Sequence, residues 1–372
     1  MSRRLLYIVN EASYFLSHRL PLAKAAQAAG WEVEVATAEA PEQAEIAAAG
    51  FVIHSLPLSR SGLRLDRELR ALLATWRLLR RIRPDLLHCV ALKAVVLGGL
   101  AARLAGTPAG IFTIAGLGHV FVENGLANRL LRTVFRHLFP LLVTPNTRVI
   151  FQNPDDQVRL GLKGKLSRRQ VLIAGSGVDL ELFHMRPEPP GEVAIILPSR
   201  LLWTKGVGEF VEAARRLRAA GVPARFLLAG DNDPGNPASI PHEQLTAWSA
   251  EGAVEWLGFQ QDMPLLLANC HIVCLPSFYG EGVPKCLIEG AATGRALVAT
   301  DTPGCREIVR HGENGLLARP KDSEALAKAL RQLIEDPDLR RRFGKRGREI
   351  AGDFGLHEVV PRTLALYDDV RQ

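Results

Sequence analysis

The chain has 372 residues, more than a single hydrophobic core usually organises, so we expect two domains rather than one. Its 47% hydrophobic and 23% charged residues are those of an ordinary globular protein. The net charge of +7 leaves two classes of anionic partner open, nucleic acid and an anionic membrane surface.

The N-terminal half alternates apolar strands with helical segments. "RRLLYIVN" predicts a buried strand over Arg3–Asn10, a helical pattern follows over Leu20–Gly30, and "WEVEVAT" predicts the next strand from Trp31. The rhythm repeats through "FVIHSLPL", a long helix to about Arg83, "DLLHCV" and "AGIFTIAG". Strands that alternate with helices predict a parallel sheet covered on both faces.

A second series of the same kind follows "MRPEPPGE", whose prolines and glycine indicate a linker. It comprises "VAIILPSR", a helix over Val211–Ala220, "ARFLLAGD", "VEWLGF", "HIVCLPS", "RALVATD" and "GLLARP". The sequence therefore predicts an α/β protein of two doubly wound Rossmann-like domains, residues 1–183 and 184–355, that face each other across a cleft. A C-terminal helix in residues 356–372 is expected to cross back to the first domain. Ligands of such folds bind beyond the carboxyl ends of the strands.

"LPSRLLWTKGVGEF" places two cations, Arg200 and Lys205, between a strand and a helix. At the carboxyl end of a strand, two cations can converge on an anion such as a diphosphate. Two solvated basic residues explain the spacing equally well, so both interpretations stay open.

"YGEGVPKCLIEGAATGRALVATD" carries two acids eight positions apart, Glu281 and Glu289. Pro284 suits the first turn of a helix, whose free amides form a site for phosphate. Glu281 lies in the loop ahead of this helix and would repel a phosphate, so we expect it to face a hydroxylated group. An i, i+4 pair with Lys285 is the alternative interpretation of Glu289.

These motifs resemble those of the retaining glycosyltransferases of family 4, which are hexosyltransferases with the GT-B fold. The resemblance rests on "EGVPKCLIE", "RLLWTK" and "GRALVATDTPGCREIVRHGENGLL", and it covers nearly the whole chain. It implies that Glu281 contacts the hydroxyls of the donor sugar and that Glu289 holds the ribose. Arg200 and Lys205 would neutralise the departing diphosphate. The further donor-binding residues that it implies are Gly258, Gly282, Val283, Pro284 and Lys285.

The N-terminal half resembles a narrower group, the transferases that extend undecaprenyl-diphosphate-linked sugars. "EASYFLSHRLPLAKAAQAAGWEVEVAT" and "AGLGHVF", together with "LAGDNDPGNPAS", carry this similarity. It implies a UDP-sugar donor, with UDP-N-acetylgalactosamine as our choice, and a lipid-diphosphate-linked saccharide as acceptor. The acceptor-side residues that it implies are Asn10, Ser13, His18, Arg19, Lys93, Gly116 and His119.

One departure from the family pattern concerns the loop after the fourth N-terminal strand. Many members carry His-Gly there, whereas this chain has Ala115-Gly116 and a histidine only at His119. A substrate contact and a loop or core position both stay open for His119.

Three alternative functions remain to be weighed. The chain could be a glycosyltransferase of the same fold that uses another nucleotide-sugar or a soluble acceptor. It could also be a catalytically inactive protein that binds a nucleotide-sugar. A dinucleotide oxidoreductase is disfavoured because neither half has a Gly-x-Gly-x-x-Gly turn after its first strand.

Two stretches could supply metal ligands, and the sequence favours neither. "NCHIVCLP" contains Cys270, His271 and Cys274, but its apolar pattern predicts a buried strand, and zinc needs four convergent ligands. "DND" offers only Asp231 and Asp233, at a position where turn residues are expected. We therefore expect no metal and no other cofactor.

Two basic helical segments point to a membrane surface. Gly62–Pro84 surrounds a leucine stripe with arginines, and Asn128–Val143 places Arg129, Arg132 and Arg136 on one face. Each segment alone fits a core-packed helix with a solvated basic face, but two of them in the acceptor domain favour contact with anionic lipid. Nucleic acid is disfavoured because the chain has only four tyrosines to stack on bases.

No segment has the features of a membrane span or a secretion signal. The apolar run near the N-terminus is too short for a signal peptide, and the longest charge-free run, Gly106–Val122, is too short for a transmembrane helix. Five cysteines without a paired framework favour a reducing compartment. We expect a cytoplasmic protein, peripherally bound to the inner face of the cytoplasmic membrane.

Overall fold

The structure is a computed structural model that describes residues 3–58, 64–118, 121, 125–160 and 162–371. The chain forms two compact units. The first takes the residues up to Gly177 and those from Leu356 onward, and the second is Val178–Gly355.

The first boundary lies at Gly177, before the expected residue 183. The segment that follows it is held by the second unit, since the Val178 amide donates to the Phe354 carbonyl at 3.0 Å. Arg348 Nη1 likewise donates to the Phe183 carbonyl at 2.7 Å. Hydrogen bonds to backbone carbonyls cannot be recognised from the pattern of apolar residues. The boundary predicted from the sequence is therefore later than the observed one.

The strands of each unit form one parallel sheet. In the first unit they are β1 (Arg3–Val9), β2 (Trp31–Ala38), β3 (Val52–Leu56), β4 (Leu86–Val90), β5 (Gly110–Ile114), β6 (Thr147–Phe151) and β7 (Gln170–Leu172). In the second they are β8 (Ala194–Pro198), β9 (Arg225–Ala229), β10 (Glu255–Trp256), β11 (Ile272–Leu275), β12 (Ala296–Thr300) and β13 (Gly315–Ala318). The strand orders are β3-β2-β1-β4-β5-β6-β7 and β10-β9-β8-β11-β12-β13. Each order reverses once, between β1 and β4 and between β8 and β11, where doubly wound sheets bind ligands.

Helices connect the strands and cover both faces of each sheet. Those up to β8 are α1 (Ala12–His18), α2 (Leu20–Ala28), α3 (Gln43–Ala48), α4 (Leu65–Ile82), α5 (Leu92–Ala105), α6 (Leu126–Leu142) and α7 (Pro154–Leu160). Those after β8 are α8 (Val207–Ala219), α9 (His242–Ala250), α10 (Met263–Ala268), α11 (Lys285–Ala292), α12 (Pro303–Ile308), α13 (Ser323–Glu335), α14 (Pro337–Ala351) and α15 (Leu356–Asp369). Within the described ranges, no helix is long and apolar enough to cross a membrane.

The first sheet separates two cores because successive side chains of a strand point to opposite faces. Leu6 and Ile8 of β1 belong to the core beneath α4, α5 and α6, and Tyr7 belongs to the core beneath α1 and α2. Tyr367 of α15 packs into this second core, with its hydroxyl 2.7 Å from that of Tyr7 and 2.7 Å from His88 Nδ1. The last helix of the chain is therefore part of the first unit.

Candidate active site

The loops that follow β8 and β11 meet where the second sheet reverses its order. Lys205, in a 3-10 turn over Trp203–Lys205, donates from Nζ to Glu281 Oε1 at 2.5 Å. The Ser277 hydroxyl donates to the same oxygen at 2.8 Å. Only 15% of the Lys205 side chain and 13% of the Glu281 side chain are exposed, so water screens their attraction weakly.

Glycine at position 206 permits this close approach. Gly206 has φ +76°, and a Cβ there would lie 2.1 Å from the Pro276 carbonyl oxygen, where no side chain fits. The turn therefore starts α8 directly against the end of β11. The Phe278 amide adds a hydrogen bond of 3.1 Å to the Thr204 carbonyl. Lys205, which lies between Thr204 and Gly206, is thereby fixed beside the β11 loop.

Arg200 lies in the same loop as Lys205 and pairs with a different acid. Its Nη1 donates to Asp233 Oδ2 at 3.1 Å, where Asp233 is buried and Arg200 is about half exposed. Asp233 is in the turn after β9, and its carbonyl accepts from the Asn236 amide at 2.8 Å. Among the described residues, no three His, Cys, Asp or Glu side chains are grouped as a metal site requires.

Glu289 is buried on α11 and pairs with Lys285 one turn earlier. Lys285 Nζ lies 3.1 Å from Glu289 Oε1, so the i, i+4 contact that the sequence allowed does form. Burial raises the pKa of the Glu289 carboxyl, and the charge of Lys285 opposes that rise. An i, i+4 pair on a helix surface stabilises by only about 0.2–0.5 kcal/mol, which does not explain a buried carboxylate. A ligand with hydroxyl groups would explain it better.

The donor-side residues Gly282, Val283 and Pro284 form the entry to α11. Val283 and Pro284 are buried, and Pro284 occupies the N-cap position. A Cβ on Gly304 of α12 would lie 1.5 Å from the Gly282 carbonyl oxygen, so the two backbones touch. The start of α11 is therefore rigidly enclosed.

The loop after β10 reaches the same edge of the sheet. Gly258 has φ +67°, and its carbonyl accepts from the Gly230 amide at 2.8 Å. Phe259, the next residue, is 70% exposed. An exposed aromatic ring at this edge offers a flat surface on which a planar ligand ring can stack. Phe259 was not predicted as a site residue, although "LGFQ" contains the signal, an aromatic residue directly after a glycine in the loop that follows a strand.

Three first-unit candidates occupy the carboxyl ends of neighbouring strands. Asn10 follows β1, and its buried Oδ1 has no hydrogen-bond partner among the described residues. Lys93 follows β4 and donates to Glu68 Oε1 on α4 at 2.7 Å. Gly116 follows β5 with φ +106°. The acceptor roles of these residues stay predictions, and His119 lies outside the described residues.

The other first-unit candidates belong to α1 and its C-terminal end. The Ser13 carbonyl accepts from the Ser17 hydroxyl, which also lies 2.7 Å from His18 Nδ1. The His18 ring stacks on Tyr14 at 4.2 Å. Arg19 is 4% exposed, and its guanidinium carbon lies 6.0 Å from the Tyr14 ring centroid. Arg19 is therefore buried, and its Nε and Nη2 have no hydrogen-bond partner among the described residues, so its acceptor role stays a prediction.

His271 joins the linker to the second sheet. Its Nδ1 accepts from the Ala194 amide at 3.1 Å, and its Nε2 donates to the Pro189 carbonyl at 3.0 Å. Burial lowers the pKa of His271 and so favours the neutral ring that these two contacts need. Because both ring nitrogens are engaged, His271 has none left for a metal.

The basic helices α4 and α6 expose apolar side chains beside their arginines. Arg129 and Arg136 of α6 are exposed, and Arg132 is half-buried. Three apolar residues of α6 are also largely exposed: Leu130 (65%), Val134 (51%) and Leu141 (68%). On α4 the leucine stripe that the sequence predicts is divided, with Leu79 buried and Leu65 exposed. Exposed apolar and cationic residues on one helix are typical of segments that lie in a membrane interface.

Two family models match the chain. Residues 4–153 match the model described as "Glycosyl transferase 4-like", and residues 181–350 match "Glycosyl transferases group 1". The second match contains every donor-side candidate from Arg200 to Glu289.

Two relatives are similar along most of the chain. The N,N'-diacetylbacillosaminyl-diphospho-undecaprenol alpha-1,3-N-acetylgalactosaminyltransferase of Campylobacter jejuni is 29% identical, over 96% of this chain and 98% of that protein. The UDP-Gal:alpha-D-GlcNAc-diphosphoundecaprenol alpha-1,3-galactosyltransferase of Escherichia coli is 23% identical, over 82% and 81%.

Solved structures share the fold. The Anabaena protein HepE in complex with UDP and glucose superimposes with a TM-score of 0.76 at 19% identity, over 99% of this chain and 100% of HepE. The sucrose-phosphate synthase of Thermosynechococcus elongatus has a TM-score of 0.75 at 18% identity, over 99% of both chains. The two parallel-sheet units are those of the GT-B fold.

Proposed function

The chain belongs to the glycosyltransferases of family 4, and we propose that it moves N-acetylgalactosamine from UDP-N-acetylgalactosamine to a lipid-diphosphate-linked saccharide in bacterial glycan assembly. The observation that carries the proposal is the buried Lys205–Glu281 pair where the second sheet reverses its order. A cation there suits a leaving diphosphate, and a carboxylate suits sugar hydroxyls. The activities in the names of the two relatives support the lipid-linked acceptor.

Each of the donor-side residues binds a different part of the nucleotide-sugar. Arg200 and Lys205 neutralise the diphosphate as its bond to the sugar breaks, and the amides at the start of α11 add partial positive charge. Glu281 accepts hydrogen bonds from the donor sugar, and Glu289 accepts them from the ribose. Lys205 can serve both Glu281 and the diphosphate because an ammonium has three N–H donors.

The transfer retains the configuration at the anomeric carbon. The bond between that carbon and the diphosphate oxygen breaks, and the acceptor oxygen bonds to the same face. The proton of the acceptor hydroxyl passes to an oxygen of the departing diphosphate, while Arg200 and Lys205 stabilise the developing charge. A sugar trapped covalently on any carboxylate of the chain would contradict this route.

The acceptor side is proposed to work at a membrane surface. Arg129, Arg132 and Arg136 attract anionic lipid, and the exposed apolar residues of α6 enter the interface between headgroups and acyl chains. A peripheral position on the inner face of the cytoplasmic membrane would bring the lipid-linked saccharide within reach of Asn10, Lys93 and Gly116.

The donor, the chemistry and the need for a metal can be tested in one assay. We expect transfer from UDP-N-acetylgalactosamine to a lipid-diphosphate-linked saccharide to exceed transfer from UDP-glucose or GDP-mannose, with the product anomer read by proton NMR. Turnover should survive EDTA, because cations and amides neutralise the diphosphate. Preference for another donor would correct the sugar, and UDP binding without transfer from any donor would favour an inactive nucleotide-sugar-binding protein. Loss in EDTA with rescue by manganese would make Asp231 and Asp233 metal ligands.

Glu289→Gln should separate stability from nucleotide binding. Because burial raises the folded pKa of Glu289 above its unfolded value, the stability tied to this group is fully present below the unfolded pKa and is lost as the pH rises through the folded pKa. The neutral amide should therefore leave the ligand-free protein at least as stable as wild type at pH 7 to 8, as measured by thermal unfolding. A hydrogen bond to a charged group is worth about 1.5–3 kcal/mol, so the UDP dissociation constant from calorimetry should rise about 10- to 100-fold. Unchanged UDP affinity would exclude a ribose contact.

A further inference from the structure

Backbone strain marks one position at the carboxyl edge of the second sheet, outside the residues that the proposed function uses. Lys321 has φ +60°, in the left-handed region where a Cβ crowds the backbone and glycine is favoured. It lies between β13 and α13. Among the described residues of the second unit, no other non-glycine residue has a positive φ. A strained backbone persists only where surrounding contacts hold it, and such positions cluster at functional sites.

The contact that Lys321 makes is with Phe278. Its Nζ lies 4.6 Å from the centroid of the Phe278 ring, which is a cation–π distance. Phe278 lies in the loop that leads from β11 to Glu281. Because β12 lies between β11 and β13 in the sheet, Lys321 reaches across a neighbouring strand to hold this loop.

The same loop is held on its other sides by buried contacts. The Phe278 amide donates to the Thr204 carbonyl, and the Thr300 hydroxyl donates to the Ser277 carbonyl. The Gly282 backbone touches Gly304 of α12. Lys321 is exposed and supplies the contact from the β13 side.

We propose that Lys321 is a positioning residue that fixes the segment Phe278–Glu281, and through it the Lys205–Glu281 pair, for the sugar-transfer step. This inference rests on the proposed function. Lys321 acts through the Phe278 ring and does not touch the donor. Since a misplacement of about 1 Å can lower a rate about 100-fold, a loosened loop should lower kcat. UDP affinity, which depends on Arg200, Glu289 and the amides of α11, should change little.

Lys321→Gly tests the proposal because it removes the strain and the cation together. The melting temperature should equal that of wild type or exceed it by up to about 2–4 °C, since glycine adopts a positive φ without strain. The UDP dissociation constant should stay within about twofold, and kcat should fall by about 10-fold or more. A folding defect would lower the melting temperature, so this combination separates positioning from folding.

Three further variants isolate the cation. Lys321→Arg keeps a cation over the ring and should keep most of the wild-type kcat. Lys321→Met keeps the length of the side chain without its charge, and should lose kcat without the gain in melting temperature. Phe278→Leu should lose kcat to a similar extent, and combining it with Lys321→Gly should add no further loss. Lys345→Met, at an exposed position on α14, is the matched control and should behave as wild type.

Hydrogen exchange provides a readout that does not depend on the identity of the substrates. Exchange of the amides of residues 278–281 should accelerate in Lys321→Gly and Lys321→Met, and not in Lys321→Arg. Unchanged exchange, or a wild-type kcat in Lys321→Gly, would overturn the inference while leaving the proposed function intact. Retained kcat in Lys321→Met would overturn the role of the charge. Accelerated exchange in a protein whose wild type transfers no sugar would support the fixing of residues 278–281 by Lys321 and contradict the proposed function alone.

Discussion

Replacing Lys205 with alanine should lower kcat by at least about 100-fold, the usual scale for the loss of one preorganised contact to developing charge. Two physical effects act in the same direction. The diphosphate loses a cation as it departs, and the buried Glu281 loses its ion-pair partner 2.5 Å away. An unpaired carboxylate beside the diphosphate would add repulsion to the lost attraction. Steady-state kinetics with the UDP-sugar would measure the effect, and a kcat within a few-fold of wild type would remove Lys205 from the site.

A double-mutant cycle with Glu281→Gln tells the two effects apart. If Lys205 serves only to balance the Glu281 charge, the double variant should recover to the activity of Glu281→Gln alone. If Lys205 acts on the diphosphate, the double variant should be no faster than Lys205→Ala. Thermal unfolding of all three variants checks that the loop after β11 still folds. Lys328→Ala on α13 is a control for the loss of a lysine from the same unit.

Most of the strands were predictable because parallel strands buried on both faces are short apolar runs, but β6 and β7 of the first sheet were not predicted. The central strand β8, "AIILP", is fully buried and is such a run, and so is β4, "LLHCV". The residues that follow these strands could be expected at one edge of each sheet. Together with the resemblance to family 4, that expectation predicted one site for Arg200, Lys205 and Glu281, and the structure shows the contact between Lys205 and Glu281.

The pairing within that site was not predictable. Lys205 and Glu281 are 76 residues apart, and they meet only because β8 and β11 are neighbours in the sheet. The partner of Arg200 is Asp233, a residue that the sequence analysis assigned to a turn. Ser277, which donates to Glu281, was missed because a serine at a strand end is an ordinary turn residue. Contacts between loops depend on strand order and turn geometry, and the periodicity of apolar residues in the sequence gives no information on either.

The amphipathic periodicity of α4 also failed to distinguish apolar residues that pack in the core from apolar residues that are exposed. Leu65 and Leu79 lie on one predicted stripe of α4, yet Leu79 packs into the core and Leu65 is exposed. The buried residues of α4 lie between Ala71 and Ile82, and its first turns are mostly exposed, so one apolar pattern covers two different surroundings. On α6, too, apolar side chains are exposed beside arginines, so the membrane contact of that helix is tested through both kinds of residue.

Replacing Arg129, Arg132 and Arg136 together with glutamine should lower binding to vesicles rich in anionic lipid by about 100-fold at low salt. Each arginine near such a surface contributes about 1 kcal/mol, and about 1.4 kcal/mol is a factor of ten in affinity. The loss should shrink as salt screens the attraction of wild type. Arg136 Nη2 also donates to the Arg159 carbonyl, so thermal unfolding is needed to confirm that the fold survives. Vesicle co-sedimentation across a salt series measures the effect.

Two matched variants identify the cause of any loss. Arg341, Arg342 and Arg346 of α14 are exposed arginines of the second unit, and their replacement removes the same net charge without a predicted membrane contact. Replacing Leu130, Val134 and Leu141 with serine removes apolar area from α6 instead, and its effect should depend little on salt because burial of apolar surface is not screened.

Turnover then decides whether membrane contact serves the reaction. The α6 arginine variant should lose far more activity with a long-chain lipid-linked acceptor in vesicles than with a short-chain soluble analogue, because only the first requires the protein to dwell at the surface. UDP affinity should be unchanged, since the second unit is untouched. Equal losses on both acceptors would assign the arginines to the acceptor pocket or to the fold. Vesicle binding equal to wild type would mean that α6 packs as an ordinary amphipathic helix with a solvated basic face.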